Sequence, residues 1–148
     1  MRRAEPADAE ALRAVSDAAY RGYVPRIGRP PAPMATDYAT VIGTGMVWAA
    51  ISGGQVVGLI VLAVRVDHLL IENIAVLPSQ QRRGVGARLL ALAEEQAAAL
   101  RLREIRLYTN EAMTENLAYY PARGYAETGR GEQDGYRRVF FAKRLAGP

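Results

Sequence analysis

The stretch IAVLPSQQRRGVGA, residues 74–87, decides the fold. It begins inside an apolar run, residues 68–77, which only Glu72 and Asn73 interrupt and which therefore predicts a central strand. Its end overlaps the segment Gly84–Leu100, in which apolar residues recur at helical spacing. This pattern predicts an amphipathic helix of about four turns. A loop with two glycines thus joins a buried strand to the first turn of a long helix.

This loop, Gln81–Gly86, predicts an anion-binding site. Its glycines allow a ligand to approach the backbone closely, and the unpaired N–H groups of the first helical turn lie at the positive end of the helix dipole. Arg82 and Arg83 favour an anion over the other interpretation, which is a tight turn without a ligand. The loop is not a P-loop, which needs a Gly-Lys-Ser/Thr ending, and it lacks the third glycine of the dinucleotide fingerprint.

The segments that flank this loop complete a sheet. Upstream, residues 46–51 and 56–66 are rich in β-branched types and predict an antiparallel hairpin that turns at Ser52, Gly53 and Gly54. Downstream, Glu104–Asn110 predicts a strand parallel to the central strand, because a helix connects the two. A short helix and two last strands follow, at residues 114–123, 125–129 and 136–145.

The N-terminal part predicts a very short strand and then a helix that starts behind Pro6. Four prolines in Val24–Pro33 predict a stiff irregular loop, and a short helix is expected after Thr36 or Asp37. We therefore expect a mixed α/β (α+β) fold, in which a twisted sheet of six or seven strands carries helices on both faces.

Composition narrows the possible functions. The chain has 148 residues, of which 50% are hydrophobic and 23% charged, so we expect one domain that spans residues 1–148. It has no cysteine, which excludes disulfides and a nucleophilic thiol and suits a cytoplasmic protein. No apolar stretch is long enough for a signal peptide or a membrane span, so no membrane partner is expected.

The net charge of +4 fits either a nucleic-acid partner or an anionic cofactor. An RNA-binding protein would use basic and aromatic residues interleaved on a strand, and the sequence has no such motif. We therefore expect no nucleic-acid partner.

Two motifs give the sequence a family resemblance. The first is Gln81, Gly84 and Gly86 after a strand, and the second is a set of four residues near the C-terminus: Asn116, Tyr120, Gly124 and Tyr125. In this order and spacing, they resemble the cofactor motif and the later tyrosine motif of the GNAT superfamily of acetyl-CoA-dependent N-acetyltransferases. Together with the upstream hairpin, the resemblance covers nearly the whole chain.

The resemblance implies acetyl-CoA as the co-substrate, bound where two central parallel strands splay apart. It implies that the main chain of the central strand contacts pantetheine and the thioester, and that the glycine loop holds the pyrophosphate. The Val76 N–H would also stabilise the oxyanion of the reaction. The residues concerned are Ile74, Ala75, Val76, Gln81, Arg82, Arg83, Gly84, Val85, Gly86 and Ala87. Direct transfer needs neither an acyl-enzyme nor a metal.

Tyr120 has the motif's spacing and is the candidate acid that protonates the departing thiolate. The adjacent Tyr119 lacks that spacing, and the other interpretation of either tyrosine is a core aromatic residue. Pro121 directly after Tyr120 disfavours helical geometry there and predicts a kinked or shortened helix. Asn116, one turn earlier, is a candidate cofactor contact, although a related arrangement places the asparagine where this chain has Met113.

Glu72 is the candidate base, because a carboxylate among apolar neighbours is desolvated. The alternative is a carboxylate that pairs with an arginine or faces solvent. His68 is the only histidine and is expected to be exposed or structural. A Ser-His-Asp hydrolase is excluded because the sequence has no Gly-x-Ser-x-Gly.

We expect the acceptor, a small-molecule or protein amine, to bind against the first helix and the proline segment, beside Glu72 and the turn 131–135. The residues expected to line this site are Tyr20, Tyr23, Ile27 and Met34. The rival function is a non-catalytic acyl-CoA-binding regulatory module, which would keep the glycine loop without a working acid. A homodimer is the expected assembly if the chain self-associates.

Overall fold

The computed structural model describes residues 1–146 of the chain. Its strands form one seven-stranded sheet in the order β1-β2-β3-β4-β5-β7-β6. In chain order they are β1 (Arg2–Arg3), β2 (Val47–Ser52), β3 (Gln55–Val64), β4 (Leu69–Val76), β5 (Glu104–Asn110), β6 (Ala126–Gln133) and β7 (Tyr136–Arg144). The pair β4–β5 is parallel, whereas β1–β2, β2–β3, β5–β7 and β6–β7 are antiparallel. The expectation of a mixed fold with six or seven strands and a central parallel pair is confirmed.

Five α-helices connect these strands, in chain order α1 (Ala9–Tyr20), α2 (Val24–Ile27), α3 (Tyr38–Ile42), α4 (Val85–Ala99) and α5 (Thr114–Ala122). Single 3₁₀ turns lie at Pro6–Asp8, Arg21–Tyr23, Ala32–Ala35 and Pro78–Gln80. Asp37 caps α3, because its side chain accepts hydrogen bonds from both the N–H and the hydroxyl of Thr40. The helix expected after Thr36 or Asp37 is thus confirmed.

The prediction of an irregular loop across Val24–Pro33 is wrong in its first half. Residues Val24–Ile27 form one turn of α-helix, and Pro25 occupies its first turn. A proline there costs no hydrogen bond, since N–H groups of a first turn have no intrahelical partner. Gly28 then ends the turn with a φ of +86°.

The chain divides into two compact units. The first comprises Met1–Leu62 and Asn73–Leu92, and the second Ala63–Glu72 and Ala93–Pro148. In the first unit, α1 and α3 pack on β2, β3 and β4 through a buried core of Leu12, Val15, Tyr38, Ile42, Val47, Ala49, Leu59, Val61 and Ala75. The first helix contributes Leu12 and Val15 to this core.

In the second unit, the core side of β5 and β7 is built by alternating residues. Ile105 and Leu107 on β5, and Val139 and Phe141 on β7, are each at most 3% exposed. The residues between them point to the other face of the sheet, as the period of two in a strand requires. Among residues 1–146, no helix is long and apolar enough to cross a membrane.

Candidate active site

The glycine loop has the backbone shape that close approach of an anion requires. Arg82 and Gly84 adopt φ values of +66° and +83°, and the loop from Gln81 to Gly84 is exposed. The carbonyl of Gly84 accepts the hydrogen bond of the Arg88 N–H at 3.0 Å, so α4 begins here. The N–H groups of the first turn of α4 are accordingly those that an intrahelical bond does not satisfy.

Gly58 on β3 sets how closely α4 approaches the sheet. A Cβ atom at this position would lie 3.1 Å from Cγ1 of Val85 and 3.2 Å from the carbonyl oxygen of Ala75. Both distances are shorter than ordinary van der Waals contacts, so only glycine lets the first residue of α4 rest on the strand. The sequence analysis missed this residue, although a lone glycine within a strand signals close backbone approach.

The main chain of β4 leaves its parallel partner part-way along. The β4–β5 ladder joins Leu69 to Ile105 and ends at the pair Ile71 and Leu107. Residues 74–76 continue β4 beyond this ladder. Within the first unit, their carbonyls bind side chains: Ile74 O accepts from the Tyr20 hydroxyl at 2.9 Å and Val76 O accepts from Gln81 Nε2 at 3.2 Å. The structure thus brings the predicted residues Tyr20, Gln81 and 74–76 together.

A buried polar network stands behind this strand. Asn73 is 6% exposed, and its Oδ1 lies 2.6 Å from the Tyr20 hydroxyl, whose single proton it shares with the Ile74 carbonyl. Its Nδ2 donates to the Tyr38 hydroxyl at 2.9 Å. Burial raises the pKa of Tyr38, which keeps its hydroxyl neutral. Asn73 therefore ties α1 and α3 to β4. In the sequence, the one indication of this role is that Asn73 is a polar residue within an otherwise apolar strand.

The other residues expected at the acceptor site lie in the same unit. Tyr23, Ile27 and Met34 are half-buried on the short helical turns after α1, and the Arg26 guanidinium lies 5.2 Å over the Tyr23 ring. In the second unit, residues 131–133 of the expected turn 131–135 belong instead to β6, and only Asp134 and Gly135, with φ values of +55° and +79°, close the β6–β7 hairpin.

Tyr120 is 6% exposed and belongs to an aromatic cluster in the second unit. Its ring centroid lies 5.4 Å from that of Tyr119, 5.8 Å from Tyr125 and 5.8 Å from Phe141. Despite Pro121, α5 continues to Ala122. The Tyr120 carbonyl accepts from the Arg123 and Tyr125 N–H groups at 2.9 and 3.1 Å, which ends the helix tightly.

Tyr125 carries an unsatisfied hydroxyl. It is the only fully buried side-chain polar atom without a hydrogen-bond partner among residues 1–146. Burial raises the pKa of Tyr125, and the nearby Glu94 carboxylate adds to the shift. Lys143 packs against Gly124 and Tyr125, and its Nζ binds the Arg123 carbonyl at 3.0 Å and the Glu94 carboxylate at 2.5 Å.

Asn116 anchors α5 to β5. Its Nδ2 donates to the Thr109 hydroxyl at 2.9 Å and approaches the Met113 sulfur at 3.7 Å. Met113 precedes α5 at the capping position without any side-chain cap. Asn116 thus has a structural bond in addition to the cofactor contact that the resemblance implies.

Glu72 lies in the second unit and pairs with Arg65, whose guanidinium is 3.5 Å from its carboxylate. The Glu72 side chain is 39% exposed, which matches the alternative of a paired carboxylate more closely than a desolvated one. His68 Nδ1 lies 2.7 Å from the Asp67 carboxylate. Within residues 1–146, no three His, Asp or Glu side chains group so as to hold a metal ion.

Comparison with known proteins gives one family match. The model of the Acetyltransferase (GNAT) family matches residues 12–125. No curated protein matches the sequence.

Solved structures share the fold at low sequence identity. The PaiA N-acetyltransferase from Thermoplasma acidophilum, in complex with coenzyme A, is 17% identical with a TM-score of 0.79 over 97% of each chain. The IAA acetyltransferase from Bacillus cereus is 26% identical with a TM-score of 0.62, over 72% of this chain and 82% of the other. A GNAT family acetyltransferase from Elizabethkingia anophelis with acetyl-CoA bound is 20% identical, with a TM-score of 0.60 over 72% of this chain and 80% of the other.

Proposed function

The chain belongs to the GNAT acetyltransferase family, and we propose that it moves an acetyl group from acetyl-CoA directly to a primary amine of a small molecule or a protein. The glycine loop carries this proposal. Arg82 and Gly84, which both have a left-handed backbone, lead the exposed loop into the first turn of α4. Main-chain N–H groups, a positive dipole end and two arginine side chains then meet where a diphosphate would bind.

The strand that precedes the loop supports the same donor. Its residues 74–76 extend beyond the parallel ladder, where the main chain of Ile74, Ala75 and Val76 would contact pantetheine. Gln81 and Tyr20 bind the carbonyls of Val76 and Ile74 and so hold this segment in place. We assign the N–H of Val76 as the donor to the developing oxyanion.

The reaction itself exchanges one bond for another. The amine nitrogen bonds to the thioester carbonyl carbon, the carbon–sulfur bond breaks, and the thiolate leaves with a proton that we assign to Tyr120. The surplus proton on the amine passes to Glu72 or to a water molecule. The absence of cysteine from the chain fits direct transfer, since no thiol is available to carry the acetyl group.

For the acceptor, we propose the helical turns after α1. Tyr23, Ile27 and Met34 give this segment a half-buried apolar surface, to which Tyr20 contributes its ring. Such a surface suits the apolar part of an amine.

An assay of free thiol with a panel of amines tests the proposal. Release of coenzyme A that depends on both acetyl-CoA and a particular amine, with the N-acetyl product identified by mass spectrometry, is the expected result. Binding of acetyl-CoA without thiol release from any amine or peptide would instead support a regulatory acyl-CoA-binding module.

A further inference from the structure

Arg138 on β7 is a buried cation to which the proposed reaction gives no role. Its side chain is 7% exposed. By strand alternation it shares a face with Phe140, opposite the core residues Val139 and Phe141. Tyr108, whose cross-strand partner is Phe140, lies on the same face.

The guanidinium lies over an aromatic ring, and only some of its N–H groups have a partner in the protein. It lies 4.1 Å over the Tyr108 ring, and Nη1 donates to Oε1 of Gln133. The Asp134 carboxylate is 3.7 Å from Nη1, but its side chain is 78% exposed and is therefore screened by water. Among residues 1–146, Nε and Nη2 donate no hydrogen bond.

These two donors also remain open to a ligand. A fully buried nitrogen without a hydrogen-bond partner would be an unsatisfied polar atom. Among residues 1–146, the only such side-chain atom is the Tyr125 hydroxyl oxygen, so neither nitrogen of Arg138 is fully buried. Nε and Nη2 therefore retain some contact with solvent. Because no protein atom accepts from these N–H groups, an incoming hydrogen-bond acceptor can replace solvent on them without breaking a bond within the protein. A planar carboxylate matches the two parallel N–H groups best.

The neighbouring surface has room for the rest of a small molecule. A cavity of about 450 Å³ lies on this face, and its lining includes Tyr108 and Gln133, which both contact Arg138. Phe140, Leu70 and His68 also line it, as do Glu104 and Arg106, which pair with each other at 2.7 Å. Tyr108 and Phe140 form its aromatic wall, with ring centroids 6.3 Å apart. Tyr108 is also the first residue of β5 beyond the parallel ladder. The cavity thus begins at the point on β5 where the strand pairing opens.

We propose that Arg138 binds a carboxylate of the acceptor, so that the substrates are small amines that also carry a carboxylate, such as amino acids. This inference rests on the proposed N-acetyltransferase function and narrows its acceptor class. Tyr108 and Gln133 hold the guanidinium, and Nε and Nη2 are the donors that we assign to the carboxylate.

Matched substrates test the proposal. Phenylalanine, phenylalaninamide and phenethylamine differ only at the carboxylate, as do leucine, leucinamide and 3-methylbutylamine. In the wild type, kcat/KM should be highest for the two amino acids. Arg138→Gln should lower their kcat/KM by about 30-fold or more, as for truncation of a buried charge partner, while leaving the amides and amines nearly unchanged.

Two variants control for folding and charge. Arg138→Lys keeps the charge without the planar fork and should retain only part of the preference. Arg137→Gln removes the neighbouring arginine, which is 78% exposed and bonded to Glu111, and should behave as wild type. A wild type without preference for the carboxylate, or equal losses for all substrates in Arg138→Gln and Arg138→Lys, would overturn the inference.

Failure of the proposed function gives a different result. If no amine releases thiol, calorimetric titration of the same compounds still decides the matter. Binding of the amino acids to wild type but not to Arg138→Gln supports the carboxylate site, and no difference between amino acid and amide overturns it.

Discussion

The hydroxyl of Tyr20 donates to the main-chain oxygen of Ile74 across 2.9 Å, and the same hydroxyl lies 2.6 Å from Oδ1 of Asn73. The end of α1 is thereby fixed to the segment of β4 that we assign to pantetheine. An amine substrate that binds against α1 would then be held at a fixed position relative to acetyl-CoA through this one side chain. Tyr20 serves both sites in this arrangement.

Tyr20→Phe should raise the KM for acetyl-CoA about 2- to 10-fold, because one hydrogen bond to the β4 main chain is lost. Steady-state kinetics with acetyl-CoA as the varied substrate measures this. Tyr23→Phe is the control, and its KM for acetyl-CoA should not change. If Tyr20→Phe alters only the KM of the acceptor, the hydroxyl serves the acceptor and does not position β4.

Gly84→Val should abolish measurable acetyl-CoA binding or weaken it about tenfold or more, because the loop can no longer present its N–H groups at the required φ of +83°. Gly54→Val is a matched control. Gly54 has a φ of +78° in the β2–β3 turn, and a Cβ atom at either glycine meets nothing within 4 Å.

The two glycine variants should therefore lose similar stability, about 1–2 kcal/mol or somewhat more for a branched residue, yet differ in affinity. Isothermal titration with acetyl-CoA and thermal unfolding separate the two effects. Equal affinities for acetyl-CoA in folded Gly84→Val and Gly54→Val would show that the pyrophosphate does not bind at the glycine loop.

Periodic segments could be predicted from the sequence, whereas contacts between distant segments could not. The strand Glu104–Asn110 was predicted with the bounds that the structure has, because apolar and polar residues alternate along it. The strand predicted at 125–129 runs instead from Ala126 to Gln133. All of its residues except the half-buried Gly129 are exposed, on both faces, and its main-chain ladder with β7 holds it in the sheet.

The candidate site shows the same division. The loop Gln81–Gly86 could be found because its glycines and arginines are consecutive. Asn73 could not be connected to Tyr20 and Tyr38, since 53 and 35 residues separate them in the chain. Arg138 is one of 19 lysines and arginines, and only its burial distinguishes it from the exposed Arg137.

Glu72→Gln should lower kcat about 10²-fold or more if this carboxylate takes the amine proton, and the acid limb of the pH–rate profile should disappear. Arg65→Gln, which removes its ion-pair partner, is the companion variant. It should leave the Glu72 carboxylate in place and keep the acid limb. An unchanged profile in Glu72→Gln would make the pair with Arg65 structural and assign the proton to water.

Tyr125→Phe should stabilise the protein by about 1 kcal/mol and raise Tm by about 2–4 °C, because it removes a buried hydroxyl that has no partner. Tyr38→Phe should do the opposite, since the equally buried Tyr38 hydroxyl accepts from Asn73. Thermal unfolding at neutral pH measures both changes. A destabilised Tyr125→Phe would mean that an ordered water satisfies the hydroxyl.

The pH dependence of the Tyr125 effect follows from its raised pKa. In the unfolded chain a tyrosine ionises near its ordinary value of about 10, whereas folding holds Tyr125 neutral at higher pH. The unfolded state therefore binds fewer protons than the native state above about pH 10, and the free energy of unfolding falls as pH rises. Tyr125→Phe should reduce that alkaline loss, which unfolding in urea at pH 8 and pH 10.5 would measure.

Tyr120→Phe keeps the ring that packs on Tyr119, Tyr125 and Phe141 and removes only the hydroxyl. If that hydroxyl protonates the departing thiolate, kcat should fall about 10²- to 10⁴-fold, the usual contribution of a general acid, while acetyl-CoA affinity changes little. Tyr119→Phe is the control, because its half-buried ring adjoins the same cluster without the motif's spacing. Single-turnover measurements ensure that the chemical step is observed.

The pattern of the two variants decides which tyrosine acts. Loss of rate in Tyr119→Phe alone would mean that the last turn of α5, which contains Pro121, presents the Tyr119 hydroxyl to the sulfur. Near-wild-type rates in both would leave the thiolate to be protonated by water or to depart unprotonated. If Tyr120 donates this proton, a second result is expected. Tyr120→Phe should react slowly with acetyl-CoA but at a nearly normal rate with an acetyl thioester of an electron-poor thiophenol, because that thiolate leaves without needing a proton.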